Sequence, residues 1–323
     1  MGAVANTTRR RIHHVLLLAT LACGFVPAWP ADVGGAQPAA GRAQAVAGNG
    51  AGETRPPASA NSLRFAVIGD SGSGARAQYE VGEQLTRSLA VFPFEFVLML
   101  GDNIYGGERP QDFVQKFEKP YKAILDRKIP FYAALGNHDD PNQRFYEPFG
   151  MNGQRFYAFE KHNVRFLALD SNYMDKDQQA WLEKELSGSK AKWTIAFFHH
   201  PLYSSGATHG SEVDLRTIVE PLFLKYGLDV VLAGHEHFYE RLHPQKGVHY
   251  FTTGAAGKLR AGNIRPGPLT AKGFDADYSY MLFEIDGDDL HFQSLTRRGK
   301  LIDSGTIHPS PAATSQAGEG REP

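Results

Sequence analysis

Five places in the chain set metal-binding side chains directly after an apolar run. Asp70 follows residues 63–69, in Gly-Asp-Ser-Gly. Asp102 follows residues 94–101, with Tyr105 three positions further on. Asn137, His138 and Asp139 follow residues 129–136; His199 and His200 follow residues 193–198; His235, Glu236 and His237 follow residues 228–234. Carboxylate, phenolate, amide and imidazole donors in such a mixture suit hard to borderline cations such as iron, zinc or manganese. Four of the five turns open with glycine, which removes the side chain that would block approach to a bound ion. Taken singly, a Gly-Asp turn is only a turn, and a His-X-His pair can face one way simply to pack. The same coincidence repeated at five strand-like ends points to one shared metal site.

The elements that must bring these residues together are legible as short apolar runs alternating with longer amphipathic stretches. The runs at 63–69, 94–101, 129–136, 166–169, 193–198, 228–234 and 248–254 are rich in β-branched and aromatic residues and read as buried strands. Residues 75–90, 111–125, 175–186 and 211–226 have helical spacing, with Asp175 placed as an N-cap. Residues 155–170 read as a hairpin turning at Lys161-His162-Asn163. After Tyr278 the chain is strand-like again, with turns at Asp286-Gly287 and Arg298-Gly299. Strands separated by helices predict a layered α/β fold, and the hairpins make its sheets mixed. In open α/β sheets ligands bind beyond the carboxyl ends of the strands, where all five blocks fall.

Outside this region the chain changes character. Three arginines, Arg9 to Arg11, precede an apolar run over 15–26, and small residues follow around 28–31. That pattern predicts an export signal over 1–30, with periplasmic or extracellular delivery and no membrane span once it is removed, since a span needs about 20 apolar residues. The arginines loosely resemble a twin-arginine signal, and Cys23 is a less favoured candidate for lipid attachment. Residues 31–61 lack large apolar side chains and read as a linker, 62–308 as the folded domain and 309–323 as a loose tail. Cys23 is the only cysteine, which excludes an intrachain disulfide, a Cys-rich zinc site and a cysteine nucleophile in the domain. A formal net charge of -1 supplies no global field for nucleic acid or an anionic membrane. A small anionic substrate must therefore be drawn by bound cations, and nothing in the chain points to a protein partner.

The ordered set Gly69-Asp70, Gly101-Asp102, Gly136-Asn137-His138, His199 and Gly234-His235-Glu236-His237 resembles the motifs of calcineurin-like metallophosphoesterases. Most of that superfamily has Asp-X-His in the first block. Here Asp70-Ser71-Gly72 lacks the histidine, and Tyr105 stands three residues after Asp102, which is similar to the small, single-domain purple acid phosphatases, the tartrate-resistant acid phosphatase-like branch.

This resemblance implies a four-layer αββα sandwich of two mixed β-sheets flanked by helices. It implies Fe(III) held by Asp70, Asp102, Tyr105 and His237, beside a divalent ion (Fe, Zn or Mn) held by Asp102, Asn137, His199 and His235. The implied reaction is acid hydrolysis of phosphate monoesters by in-line attack of a water activated between the ions, with His138 and His209 as candidate proton donors to the leaving group. His200 should point away from His199 on an extended chain, supporting a ligand from behind or simply packing. Asp139 and Glu236 could orient neighbouring histidines. Residues 253–257 could line the pocket, and Tyr203, Tyr239 and Arg241 could shape access to it. Two rivals stand beside this reading: a phosphodiesterase for nucleotide or lipid head-group esters, and a non-catalytic metal- or phosphate-binding or iron redox protein.

Overall fold

A computed structural model describes residues 54–309, and every structural statement below concerns those residues. The expected signal segment, Cys23 and almost all of the expected tail lie outside them.

Two mixed sheets lie face to face. β1 (Leu63–Ile68), β2 (Phe96–Leu100) and β3 (Phe131–Ala134) run parallel in the first. β4 (Tyr157–Lys161) and β5 (Val164–Ala168) form the expected hairpin, with His162 in the left-handed region at its turn. β5 continues in parallel through β6 (Trp193–Phe198), β7 (Val230–Ala233) and β9 (His249–Thr253). β8 (Tyr239–Leu242) and β10 (Thr270–Phe274) add an antiparallel edge to that second sheet. β11 (Ser279–Asp286), β12 (Asp289–Thr296) and β13 (Leu301–Ile307) complete the first sheet as an antiparallel meander. Strand order is β13-β12-β11-β1-β2-β3 in one sheet and β10-β8-β9-β7-β6-β5-β4 in the other.

The strands read as near-continuous apolar runs because both their faces are covered. Between the sheets, Phe65 of β1 stacks on Phe96 of β2 and meets Phe166 of β5 edge-on, with ring centroids 5.3 Å apart in both pairs. The outer face of the second sheet is closed by α4 (Lys176–Gly188) and α5 (Val213–Lys225). Leu182, Leu186, Leu215, Val219 and Phe223 of these helices pack on Leu167, Ala196, Phe198 and Val231. α1 (Arg76–Val91) buries Val81, Leu85 and Leu89 in the cluster that includes the first sheet. The result is the expected αββα sandwich.

Asp175 caps α4 as expected, its Oδ1 accepting from the Gln178 backbone N–H at 2.8 Å. The helix expected over 111–125 is instead broken into α2 (Pro110–Phe113), a π-helical turn (Val114–Glu118) and α3 (Lys122–Leu125). Pro120 has no N–H to continue the ladder, so the helical spacing persists while the helix does not. β8 and β10 had no counterpart in the apolar pattern: each is short, and β10 is only half-buried. The stretch expected as linker ends in backbone that the domain holds. The N–H groups of Ala58 and Ser59 donate to the Glu284 carboxylate, and that of Arg55 to Gln293 Oε1. Backbone polar groups, rather than apolar side chains, attach this segment, so a composition argument does not see it.

Candidate metal centre

The loops after β1, β2, β3, β6 and β7 meet at one end of the sandwich. Three of their residues stand in the left-handed region without being glycine: Asp70 at φ 54°, Asp102 at φ 52° and His235 at φ 67°. Such conformations are costly for side chains with a Cβ and concentrate at functional sites. Two glycines set the closeness of the loops. A Cβ on Gly101 would come within 2.7 Å of Gly136 N and of His199 Nδ1. One on Gly136 would lie 2.3 Å from both the N and the Oδ1 of Asp102.

The donors gather in two joined groups. In the first, the Tyr105 hydroxyl donates to Asp70 Oδ1 at 3.1 Å and lies 3.2 Å from His237 Nε2, which is itself 3.3 Å from Asp70 Oδ1. Asp70, Asp102 and His237 each bring a donor atom to one common space, all within 4.8 Å of one another. In the second, His199 Nε2 is 2.9 Å from Asn137 Oδ1, 3.0 Å from His235 Nδ1 and 3.5 Å from Asp102 Oδ1. Asp102 thus stands between the groups. All seven residues expected as ligands are brought together.

Local bonds fix how these side chains present themselves. The Leu100 carbonyl can only accept, so His199 Nδ1 carries the proton it donates there at 2.9 Å, and Nε2 keeps its lone pair for the centre. The His235 backbone N–H donates to Asp70 Oδ2 at 2.8 Å, tying the first turn to the last. The His138 backbone N–H donates to Asp102 Oδ1 at 3.0 Å.

The protonation states follow from burial without countercharge. Desolvation, then the charge of Asp102, raises Asp70 well above the carboxylate range. Desolvation, Asp70 and Asp102 push the Tyr105 phenol far up. Desolvation lowers His199 well below its ordinary value. It also takes His235 down to about 2, helped by the rings of His199, His200 and His209, and His237 down to about 4, helped by Arg260. Buried anions crowded together and imidazoles kept neutral are the condition in which a cation fits: it compensates the former and coordinates the latter. The donor set therefore suits a pair of metal ions.

His138 is exposed, with its ring 5.1 Å from that of Tyr105. His209 is exposed on the loop after β6, its ring 4.2 Å from that of His235. Burial lowers the pKa of His209, opposed by Glu236 and aided by Arg260. Both candidate proton donors are at the centre's edge.

Several neighbours differ from expectation. His200 does not point away: its ring is 4.9 Å from that of His199 and 4.5 Å from that of His235. β6 ends at Phe198, so strand alternation no longer applies. His200 Nδ1 sits 2.8 Å from the Ser171 hydroxyl, which also accepts from the His200 N–H. Asp139 holds loops rather than histidines, accepting from the backbone N–H groups of Asn103, Ile104 and Gly136. Burial and the nearby Asp102 push it up to about 7 against those bonds. Glu236 likewise accepts from Gly210 N and Asn263 Nδ2, fastening the loop that carries His209. Tyr239 and Arg241 turn to Asp303, and Tyr203 donates to Glu220. Residues 253–257 back the Asp70 turn: a Cβ on Gly254 would come 2.6 Å from Asp70 Oδ2.

Sequence reasoning passed over the end of β5. There Asn172 Nδ2 donates to the Leu135 and Gly136 carbonyls, and Ser171 fixes His200. The signal was present, since Asp170-Ser171-Asn172 also follows an apolar run. A cavity of about 450 Å³ opens between this loop and the third one, lined in part by Asn137, Asn172, Tyr173, His200 and Glu212.

A family model for calcineurin-like phosphoesterases matches residues 63–239, more than half of the chain. The chain belongs to that family, and it is a metal-dependent phosphoric ester hydrolase. Among named relatives, it is 27% identical to rat tartrate-resistant acid phosphatase type 5 over 241 residues, 61% of this chain and 73% of the relative. Identity to Arabidopsis thaliana purple acid phosphatase 17 is 25% over 289 residues, 73% of this chain and 85% of that one. Among solved structures, the yellow lupin purple acid phosphatase PPD1 superposes with a TM-score of 0.64 at 19% identity, over 78% of this chain and 55% of that chain. GAP50, the anchor in the inner membrane complex of Plasmodium, superposes with a TM-score of 0.67 at 20% identity, over 78% of this chain and 90% of that chain. At those identities the superpositions speak for the fold.

Proposed function

We propose that this phosphoesterase is an acid phosphatase for monoesters. Fe(III) would be held by Asp70, Asp102, Tyr105 and His237, and a divalent Fe, Zn or Mn ion by Asp102, Asn137, His199 and His235. The observation that carries the reading is the phenol of Tyr105 inside the carboxylate group, 3.1 Å from Asp70 Oδ1. A phenolate is a hard, anionic donor and favours a trivalent ion, whereas the amide and imidazoles opposite suit a divalent one. When bound, such a pair supplies Lewis-acid activation of a water and stabilises charge on the entering and leaving oxygens.

The chain's own groups do the rest. Asp102 lies between the two donor groups and is the carboxylate they share. Leu100 and Asp70 hold His199 and His235 in register through the bonds above. His138 and His209, at the rim, bind the phosphate oxygens and hand a ring N–H proton to the departing alkoxide. The cavity beside Asn137 receives the alcohol portion. Two ring N–H donors at the rim match the extra free oxygen of a monoester, which a diester lacks. The export signal read over 1–30 places this activity in the periplasm or outside the cell, which the intact mass of the exported protein checks.

Metal analysis with a visible spectrum tests the core of this. We expect about one iron per chain and a purple to pink band that disappears in Tyr105→Phe. Phenyl phosphate should turn over faster than diphenyl phosphate under mildly acidic conditions. A colourless enzyme fully active with zinc or manganese would sink the iron assignment, and a preference for the diester would sink the monoesterase one.

A further inference from the structure

The loop that follows β9 carries two cations that the proposed reaction leaves unused. Residues 254–263 are stitched to the metal-centre turns from several sides. Ala256 N–H donates to the Gly69 carbonyl and Arg260 N–H to the His237 carbonyl, both at 3.1 Å. Asn263 Nδ2 donates to Glu236 at 3.0 Å, and Asn263 N–H to the Arg260 carbonyl at 3.3 Å. Lys258 and Arg260 are thereby held on the Tyr105–His237 side of the cleft. Lys258 Nζ stands 4.5 Å from the centroid of the Tyr105 ring.

Neither cation has a carboxylate partner among the described residues, whereas Arg155 and Arg241, for example, are paired with Asp170 and Asp303. Arg260 Nη1 is moreover buried with no hydrogen-bond partner. An unmet guanidinium N–H is costly, so an anion that draws the half-buried side chain forward would supply the acceptor it lacks. Glu236, the acid that Asn263 of this loop contacts, is already occupied by Gly210 and Asn263.

Charge balance says which acceptor. On the reading above, three anionic donors (Asp70, Asp102 and Tyr105) face a trivalent and a divalent ion, which leaves two positive charges. One dianionic phosphate monoester balances them. Lys258, against the Tyr105 ring, and Arg260, beside His237, then remain as a second pair of positive charges. We propose that Lys258 and Arg260 form an anion subsite that receives a second phosphoryl group of the substrate, so that the enzyme prefers organic bisphosphates to simple monoesters. This rests on the phosphatase reading for the position of the first phosphate.

Direct binding of non-hydrolysable ligands tests the subsite separately from catalysis. The metal-loaded protein is titrated calorimetrically with propane-1,3-diphosphonate and with methylphosphonate. The diphosphonate should bind at least about tenfold more tightly, the size of one charge-assisted hydrogen bond. In the Lys258→Gln/Arg260→Gln double variant the ratio should fall to about two, the statistical factor for two equal ends. The charge-keeping pair Lys258→Arg/Arg260→Lys should retain most of the wild-type ratio. If the double variant does not fold, Lys258→Gln alone should lower the ratio by roughly threefold, since it removes one of the two contacts. A wild-type ratio near two, or a ratio unmoved by these substitutions, overturns the subsite. Metal content and turnover of phenyl phosphate report on the underlying phosphatase reading, and the ratio can be measured even if that reading fails.

Discussion

The two halves of the donor cluster sit on strand ends of the same kind, yet they are chemically unlike. Around Asp70 the side chains are anionic or can become so: Asp70, Asp102 and Tyr105, with His237 at the margin. Around His199 they are neutral: Asn137, His199 and His235. Burial acts on both and in opposite senses. It raises Asp70 and Tyr105, because an anion without countercharge is disfavoured, and lowers His199 and His235, because a cation among other imidazoles is disfavoured. Without a cation the first half therefore clings to protons and the second half refuses them. On the proposed assignment the first half takes the more highly charged ion, while the second offers lone pairs, that of His199 freed by the bond its other nitrogen makes to Leu100. Such a contrast would let one buried site distinguish two cations without any difference in the surrounding fold.

The largest effect should come from removing what the halves share. Asp102→Ala is expected to release both ions and lower kcat/KM by at least about 10³-fold. His199→Ala should instead lose one ion of two and keep the visible band. Metal content and the spectrum of the two variants together check this. If His199→Ala loses the band, or Asp102→Ala keeps one tightly bound ion, the division into unlike halves is wrong.

A smaller effect should follow from pushing the halves apart without touching a donor. In Gly136→Ala the new Cβ would meet Asp102 N and Oδ1 at 2.3 Å. Metal affinity should fall about 10–100-fold, as for a supporting residue, with a stability loss of about 1–3 kcal/mol. Competition with a chelator and denaturant unfolding measure the two. Affinity within twofold of the wild type would show that the loops can move apart freely.

The smallest effect lies away from the cluster and calibrates it. His249 on β9 is half-buried, and burial, then Arg241 and His308, lowers it to about 4. Its unfolded value is near 6.5. Above that, the residue is neutral in both states and has no effect. As pH falls from about 6.5 to about 4, the unfolded chain takes up a proton that the fold refuses, so stability is lost. His249→Gln should reduce that acid loss by on the order of 1–2 kcal/mol, read as a smaller drop in denaturant midpoint between pH 7 and pH 4. An identical drop in both proteins would remove His249 from the account of acid stability.

Much of this fold was readable from periodicity because its parallel strands are buried on both faces. Apolar runs such as 193–198 and 228–234 carry that burial in their composition, and each ends where a donor begins. Asp175 announced its helix by the chemistry of capping. Reading failed where local pattern and tertiary role part company. The segment over 111–125 kept helical spacing because Phe117, Tyr121 and Ile124 face the core, while Pro120 prevented one continuous helix. His200 was misdirected by a strand rule applied two residues past the strand's end.

The chain by itself determined the family, the donor types and their order, because each donor is tied by a fixed spacing to the strand that ends before it. Only the tertiary structure decided which donors share a half, which imidazole nitrogen is free, and what Asp139, Glu236 and Arg260 touch. Those outcomes depend on contacts between loops distant in sequence, such as His199 with Leu100 and Arg260 with His237. Spacing along one strand carries no information about the distance to another, and that distance is set by how the sheets pack.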